Sequence, residues 1–217
     1  MVGIFDSGMG GAFALAELRK LSPNADVVFR ADRKNAPYGT KPRERLINLV
    51  ERNIDVLRSY GAEDILIACC TASTVYDELQ DRYRKCVIPI IDATAYAAVM
   101  TSESKRIGVL ATESTVRSGA FENAIHRYCA RAEVRSCAVQ PLVSAIEQRK
   151  ETDYILAEAV SRLGGVDTVI LGCTHFAAVE EKIKKEGLAA VNSARVGAEL
   201  LSGHITSGCG ATLYINE

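Results

Sequence analysis

The 217-residue sequence lacks any apolar run approaching the roughly 20 residues needed to span a bilayer. It also lacks a basic segment followed by an apolar core near its start, so no secretory signal is visible and the cytoplasm is the expected compartment. There is no block of like charge, and the formal net charge is only −1. Neither nucleic acid nor an anionic membrane surface is therefore expected as a partner. No low-complexity segment or linker interrupts the chain. The seven cysteines are odd in number and show no C-x₂-C pair, which argues against both a disulfide framework and a zinc ribbon. Neither G-x-G-x-x-G nor G-K-[ST] occurs, so a nucleotide cradle is poorly supported. Histidines number only three, and no ligand cluster complements any of them.

What is present is the balance of an ordinary globular chain, 48% hydrophobic and 24% charged, which suits one large domain or two small ones. Short apolar runs read as strands at Val2–Phe5, Asp26–Ala31, Asp64–Ala68, Val87–Ile91, Arg106–Ala111, Glu133–Val139, Thr168–Leu171 and Leu188–Val191, with a last strand-like stretch at Ala211–Ile215. Continuous apolar runs are what parallel strands covered on both faces require. Amphipathic stretches lie between them. The clearest spans Thr40 to Tyr60, where Leu46, Leu49, Val50, Ile54 and Leu57 recur at helical spacing. Thr40 is its expected N-cap, Pro42 sits in its first turn, and Gly61 marks its stop. Alternation of this kind predicts an α/β fold.

The sequence also resembles itself. Val2-Gly3-Ile4-Phe5-Asp6-Ser7 is similar to Ile107-Gly108-Val109-Leu110-Ala111-Thr112 at an offset of 105, and Ile65-Leu66-Ile67-Ala68-Cys69 to Val169-Ile170-Leu171-Gly172-Cys173 at an offset of 104. Two matches at nearly one offset predict two similar α/β halves with largely parallel sheets. In each, one strand end carries a hydroxyl or carboxylate and another a cysteine.

Ligands of open parallel sheets collect at the C-terminal ends of the strands, and Cys69 and Cys173 both stand there. A threonine follows each, Thr71 within two residues and Thr174 directly. A helix N-terminus at such a place would favour thiolate over thiol and hold a substrate carboxylate. Asp6 fits as a carboxylate at the same sheet edge, with Gly8, Gly10 and Gly11 allowing close backbone approach. Asp32 to Gly39 reads as a polar loop in which Pro37-Tyr38-Gly39 is by itself an ordinary turn. His175, two residues after Cys173, could pair with that thiol as in a Cys/His hydrolase, or the two thiols could oppose each other with Asp6 and His175 as helpers. His126 and His204 read as structural or exposed. Cys86, Cys129 and Cys137 read as small buried hydrophobes.

In order along the chain, Gly3 to Gly11, Pro37-Tyr38-Gly39, Ala68-Cys69-Cys70-Thr71-Ala72-Ser73, Ala111-Thr112, Pro141-Leu142-Val143 through Glu147, Leu171-Gly172-Cys173-Thr174-His175 and Thr206-Ser207-Gly208 resemble the motifs of the glutamate racemases, within the wider aspartate/glutamate racemase superfamily. The resemblance implies two pseudo-twofold-related α/β domains with the active site between them, the first from residues 1–92 and 192–217 and the second from 93–191. It implies Cys69 and Cys173 as acid/base groups on opposite faces of a substrate Cα, assisted by Asp6 and His175, with Glu147 on the His175 side. Ser7, Pro37, Tyr38, Gly39, Cys70, Thr71, Thr112 and Thr174 are implied as substrate-binding positions. The implied reaction interconverts L- and D-glutamate, supplying D-glutamate for peptidoglycan. It needs neither pyridoxal phosphate nor metal, and its partner is a small amino acid; a homodimer is compatible with it.

Three departures stand out. Cys70 replaces an asparagine that helps hold the amino acid, and a thiol is a poor donor beside an amide. Asn192 stands where the family often has aspartate. The sequence stops after Ala211–Ile215, where relatives usually continue into a helix. Racemisation of aspartate or another amino acid is the nearest competing activity. A catalytically silent homologue that binds an acidic metabolite or a protein is the competing class.

Overall fold

The computed structural model describes residues 1–215; residues 216 and 217, included above in the first expected domain, lie outside the described residues. Among the described residues nine strands run in chain order as β1 (Val2–Asp6), β2 (Val27–Ala31), β3 (Asp64–Ile67), β4 (Val87–Ile88), β5 (Arg106–Ala111), β6 (Glu133–Ala138), β7 (Thr168–Gly172), β8 (Ala189–Asn192) and β9 (Thr212–Ile215). They form two fully parallel sheets, one ordered β4-β3-β1-β2-β9 and the other β6-β5-β7-β8. The chain divides into two compact units, Met1–Ile90 with Ala194–Glu217 and Ile91–Ser193. No helix of the described residues is long and apolar enough to cross a membrane.

In the first unit β1 is central, with Ile4 level with Phe29 of β2 on one side and Leu66 of β3 on the other. All five residues of β1 are buried, as a strand covered on both faces requires. The helix Arg43–Ser59 lays Leu46, Leu49, Val50, Ile54 and Leu57 into a core with Phe5, Val28, Ile65 and Ile67. Each fully buried side chain of this size contributes roughly 1.5–3 kcal/mol. Thr40 does not cap this helix. It closes a 3₁₀ turn, Tyr38–Thr40, donating its hydroxyl to the Pro37 carbonyl, and Pro42 takes the N-cap position instead. Proline's fixed φ and missing N–H suit it to that boundary. At the other end Gly61 adopts φ +89°, its N–H bonding the Arg58 carbonyl while Ala62 N–H bonds Leu57, a six-to-one closure that needs a left-handed residue.

The second unit repeats the plan. β5 is central between β6 and β7, and Leu110, Leu142, Leu156, Leu163, Val169 and Phe176 fill its core. In each sheet the first strand of the unit has its sequence neighbours on opposite sides, so the strand order reverses at β1/β3 and at β5/β7. Such reversals open a crevice at the carboxyl ends of the strands. The repeated motifs supply these two strand pairs: β1 and β5 from one match, β3 and β7 from the other. β4 is shorter than the expected Val87–Ile91, because Pro89 breaks the ladder and the helix Ile90–Thr101 begins directly after it.

Candidate active site

Within the first unit, Asp6 ends β1 and Cys69 lies just past β3, so the two flank the strand-order reversal. The backbone pairing continues beyond the strands: Asp32 N–H reaches the Asp6 carbonyl at 2.9 Å, and Ala68 N–H the Phe5 carbonyl at 2.8 Å. The Asp6 side chain turns back to accept the Gly8 N–H at 2.7 Å. Close approach is needed at Gly11, where an added Cβ would sit 2.6 Å from Asp6 Cβ; Gly8 would meet only Asp6 Oδ1, at 3.9 Å, so the expected need for tight approach does not extend to it. Ser7 Oγ lies 3.1 Å from Cys69 Sγ, and Ala72 N–H points at the same sulfur from 3.4 Å.

The expectation that Cys69 is biased toward thiolate is not met. Burial and the neighbouring Asp6 charge push its thiol up to about 11, against the smaller opposing effects of Ser7 and the Ala72 N–H. The helix that follows, Cys70–Ser73, is a single turn and too short to overcome them. Cys70 and Thr71 are buried in that turn, and Ser73 Oγ donates to the carbonyls of Ile67 and Cys69, each at 3.0 Å.

Beside Cys69 lies the loop after β2. Pro37 is exposed and preceded by a cis peptide, Gly39 is half-buried, and Tyr38 is buried with its ring 5.9 Å from that of Phe5. The Tyr38 hydroxyl faces inward and donates to Asp32 Oδ2 at 2.6 Å. Asn53, from the middle of the helix Arg43–Ser59, donates to both the Tyr38 oxygen (3.0 Å) and Asp32 Oδ2 (3.1 Å), and Arg30 donates to Asn53 Oδ1. Burial works against ionisation of Asp32, but hydrogen bonds from Tyr38, Asn35 and Asn53 and the Arg30 charge outweigh it, holding the carboxyl below its usual range. The same surroundings push the Tyr38 hydroxyl well above its ordinary value. No motif in the sequence marks Arg30, Asp32 or Asn53 as functional. A signal existed for Asn53, the polar member of the otherwise apolar stripe Leu49, Val50, Ile54 and Leu57.

Within the second unit, Thr112 follows β5 and Cys173 follows β7. Thr112 caps the short helix Glu113–Ser118, its Oγ1 accepting the Thr115 N–H at 3.4 Å. Cys173 and Thr174 are buried at the start of a 3₁₀ segment, Thr174–Val179. Cys173 Sγ lies 3.7 Å from His175 Nδ1, and His175 Nε2 lies 3.0 Å from Glu147 Oε1. In the tautomer that donates from Nε2 to Glu147, His175 presents Nδ1 as an acceptor to the Cys173 thiol. Glu147 itself is exposed, at the end of the helix Gln140–Glu147. Asn192, at the end of β8, is buried and donates to the buried Glu180 at 2.8 Å. An aspartate at that position would set two carboxylates against each other.

The remaining titratable candidates fall elsewhere. His126 bonds the Ala132 carbonyl, and His204 lies 3.2 Å from Asp64 on the surface. Cys137 is buried, whereas Cys86 and Cys129 are only partly so, and Cys209 is exposed. Cys86 and Cys129 therefore depart from the buried hydrophobes expected of them: Cys86 packs against the first unit's core from its margin, and Cys129 forms the C-cap of the helix Ala120–Tyr128. Among the described residues no group of three or more His, Cys, Asp or Glu could hold a metal ion.

Residues 23–201 match the family described as Asp/Glu/hydantoin racemase. The glutamate racemase of Aquifex aeolicus is 35% identical over 208 residues, covering 92% of this chain and 81% of that protein. That of Lactococcus lactis is 33% identical over 190 residues, covering 85% and 70%. Among solved structures, glutamate racemase isoform RacE1 of Bacillus anthracis superposes with a TM-score of 0.87 at 26% identity, over 99% of this chain and 86% of that one. Glutamate racemase of Francisella tularensis in complex with D-glutamate gives a TM-score of 0.87 at 25% identity, over 98% and 86%. With two strand-end thiols, each beside its own polar helpers, and with these matches across most of its length, the chain belongs to the Asp/Glu/hydantoin racemase family.

Proposed function

We propose that this chain is a cofactor-independent glutamate racemase, acting in the cytoplasm and supplying D-glutamate for peptidoglycan. The observation that carries the reading is the matched placement of Cys69 and Cys173 after the corresponding strands of two similarly ordered sheets, each with a different set of helpers. The family and the names of its relatives support glutamate as substrate.

In the proposed reaction one thiolate removes the α-proton and the other thiol donates a proton to the opposite face of Cα. The C–H electron pair stays on the substrate between these steps, and the two sulfurs exchange protonation states. For the isomer whose α-hydrogen faces Cys173, that thiol, beside Nδ1 of His175, is the base and Cys69, disfavoured as a thiolate by burial and Asp6, the donor. For the other isomer the roles reverse. A paired acid and base contribute on the order of 10²–10⁴-fold. Stabilisation of the developing carbanion by fixed dipoles and hydroxyls must supply much of the rest. Ser7, Thr71, Thr112 and Thr174, with the backbone of Pro37, Tyr38 and Gly39, are the proposed substrate contacts. One observation favours a second reading: Cys70 offers a thiol where an amide would bind a charged substrate, which suits aspartate or another amino acid.

Circular dichroism tests the reading directly. Purified protein without added cofactor should carry both L- and D-glutamate to the same racemic end point, and faster than it does aspartate. Racemisation of aspartate alone would transfer the assignment to that substrate. No change in either amino acid would leave only a binding role.

A further inference from the structure

We infer that Asp32 and Asn53 are positioning residues that, with Arg30, lock the Tyr38 side chain and so set the Pro37-Tyr38-Gly39 backbone beside Cys69. The inference rests on the racemase reading for its kinetic consequence but not for its structural one.

Four polar side chains from β2, its following loop and the helix Arg43–Ser59 meet inside the first unit, against its apolar core. Arg30 is 3% exposed, Asp32 3%, Tyr38 2% and Asn53 1%. Burying such groups is costly unless they satisfy one another, and their connections are complete enough to fix their orientation. Arginine has no acceptor, so the oxygen of the Asn53 amide must face Arg30. Its nitrogen must then face the Leu49 carbonyl, the Tyr38 oxygen and Asp32. The Tyr38 hydroxyl, accepting from Asn53, has its single proton left for Asp32. Asn35 Nδ2 approaches both Asp32 oxygens, at 2.9 and 3.0 Å, so one carboxylate holds the loop at its start and again at its turn. With its hydroxyl committed inward, Tyr38 serves the site through backbone placement. Asp32, held ionised by these donors, is spent as an acceptor and is not a free proton carrier.

The test compares Tyr38→Phe, which removes one oxygen, and Asp32→Asn, which removes the charge and, whichever way its amide lies, turns a donor toward the Asn35 nitrogen. Steady-state racemisation of glutamate should show KM raised about tenfold in Tyr38→Phe, the loss expected for one hydrogen bond to a charged group, with kcat kept within about twofold. Asp32→Asn should raise KM further, and the two losses should be less than additive in the double variant, because the residues share a bond. The pH profile of kcat should keep every limb that the native chain shows. Deuterium uptake by backbone amides of residues 33–41 should quicken in Tyr38→Phe, with no change in β1. A fall in kcat with a lost pH limb would make Asp32 a proton-transfer group and overturn the inference, as would native uptake in Tyr38→Phe. If the native chain does not racemise glutamate, the functional reading fails and the uptake comparison still decides this one. If Asp32→Asn does not fold, Tyr38→Phe decides it.

Discussion

Cys69 and Cys173 are chemically unlike despite their equivalent places. A buried sulfur facing Asp6 holds its proton, whereas the sulfur beside His175 has an oriented acceptor. Replacing Asp6 with asparagine removes the charge that opposes the thiolate, so Cys69 should ionise at lower pH, moving down from about 11 toward the ordinary thiol value. The pH dependence of alkylation at Cys69, read by peptide mass spectrometry, checks this. An unmoved midpoint would show that burial alone sets it. Cys70 poses a separate question. An asparagine there would add two donors and a strong acceptor. One recovered hydrogen bond to a charged substrate group is worth roughly 1.5–3 kcal/mol, about ten- to a hundredfold in kcat/KM. Cys70→Asn should therefore improve glutamate turnover and improve the native chain's preferred substrate less, if that differs. Poorer glutamate turnover, with good native activity on aspartate, would mean a site rebuilt for another ligand.

Elements hold these residues through a few tight places. Gly11 opens the helix Gly11–Leu21 directly over Asp6, and a methyl group there would overlap Asp6 Cβ and press on Phe29. Gly11→Ala should cost about 1–3 kcal/mol, the usual penalty of overpacking, and should disturb Asp6. Gly61→Ala meets no neighbour within 4 Å and pays only for its left-handed backbone, roughly 1–2 kcal/mol. Urea unfolding monitored with activity separates them: both variants lose stability, and only Gly11→Ala loses turnover beyond that loss. Equal activity in the two would remove Gly11 from the account. The inner strands were legible because parallel strands covered on both faces are written as apolar runs; the edge strands β6 and β9 lie where expected although they are largely exposed. Their ends were less so, since Pro89 truncates one run and Pro42 displaces the Thr40 cap. Asp6, Cys69, Cys173 and His175 stood out through motif and position. The Arg30–Asp32–Tyr38–Asn53 network did not, because Arg30 and Asn53 sit on elements read for their apolar faces and Asp32 and Tyr38 in a loop read as a turn, and only folding brings them together.

At the scale of the whole molecule, two parallel sheets with the same reversal of strand order each bring one cysteine to a carboxyl edge, which gives physical content to the two sequence matches about 105 residues apart. In the proposed reaction fixed dipoles and hydroxyls take the place of a cofactor electron sink, and the described residues offer no ligand cluster for a metal. Racemisation should therefore survive exhaustive dialysis against a chelator; activity lost there and restored by zinc would mean that Cys173 and His175 had been misassigned as acid/base groups. The two-thiol claim is tested most directly by α-deuteration of L- and D-glutamate in D₂O, without cofactor, for the native chain and for Cys69→Ala and Cys173→Ala. The native protein should label both isomers as it interconverts them, each variant should lose interconversion, and Cys86→Ala, Cys129→Ala and Cys137→Ala should retain it. Near-native racemisation with label uptake in either Cys69→Ala or Cys173→Ala would contradict the account.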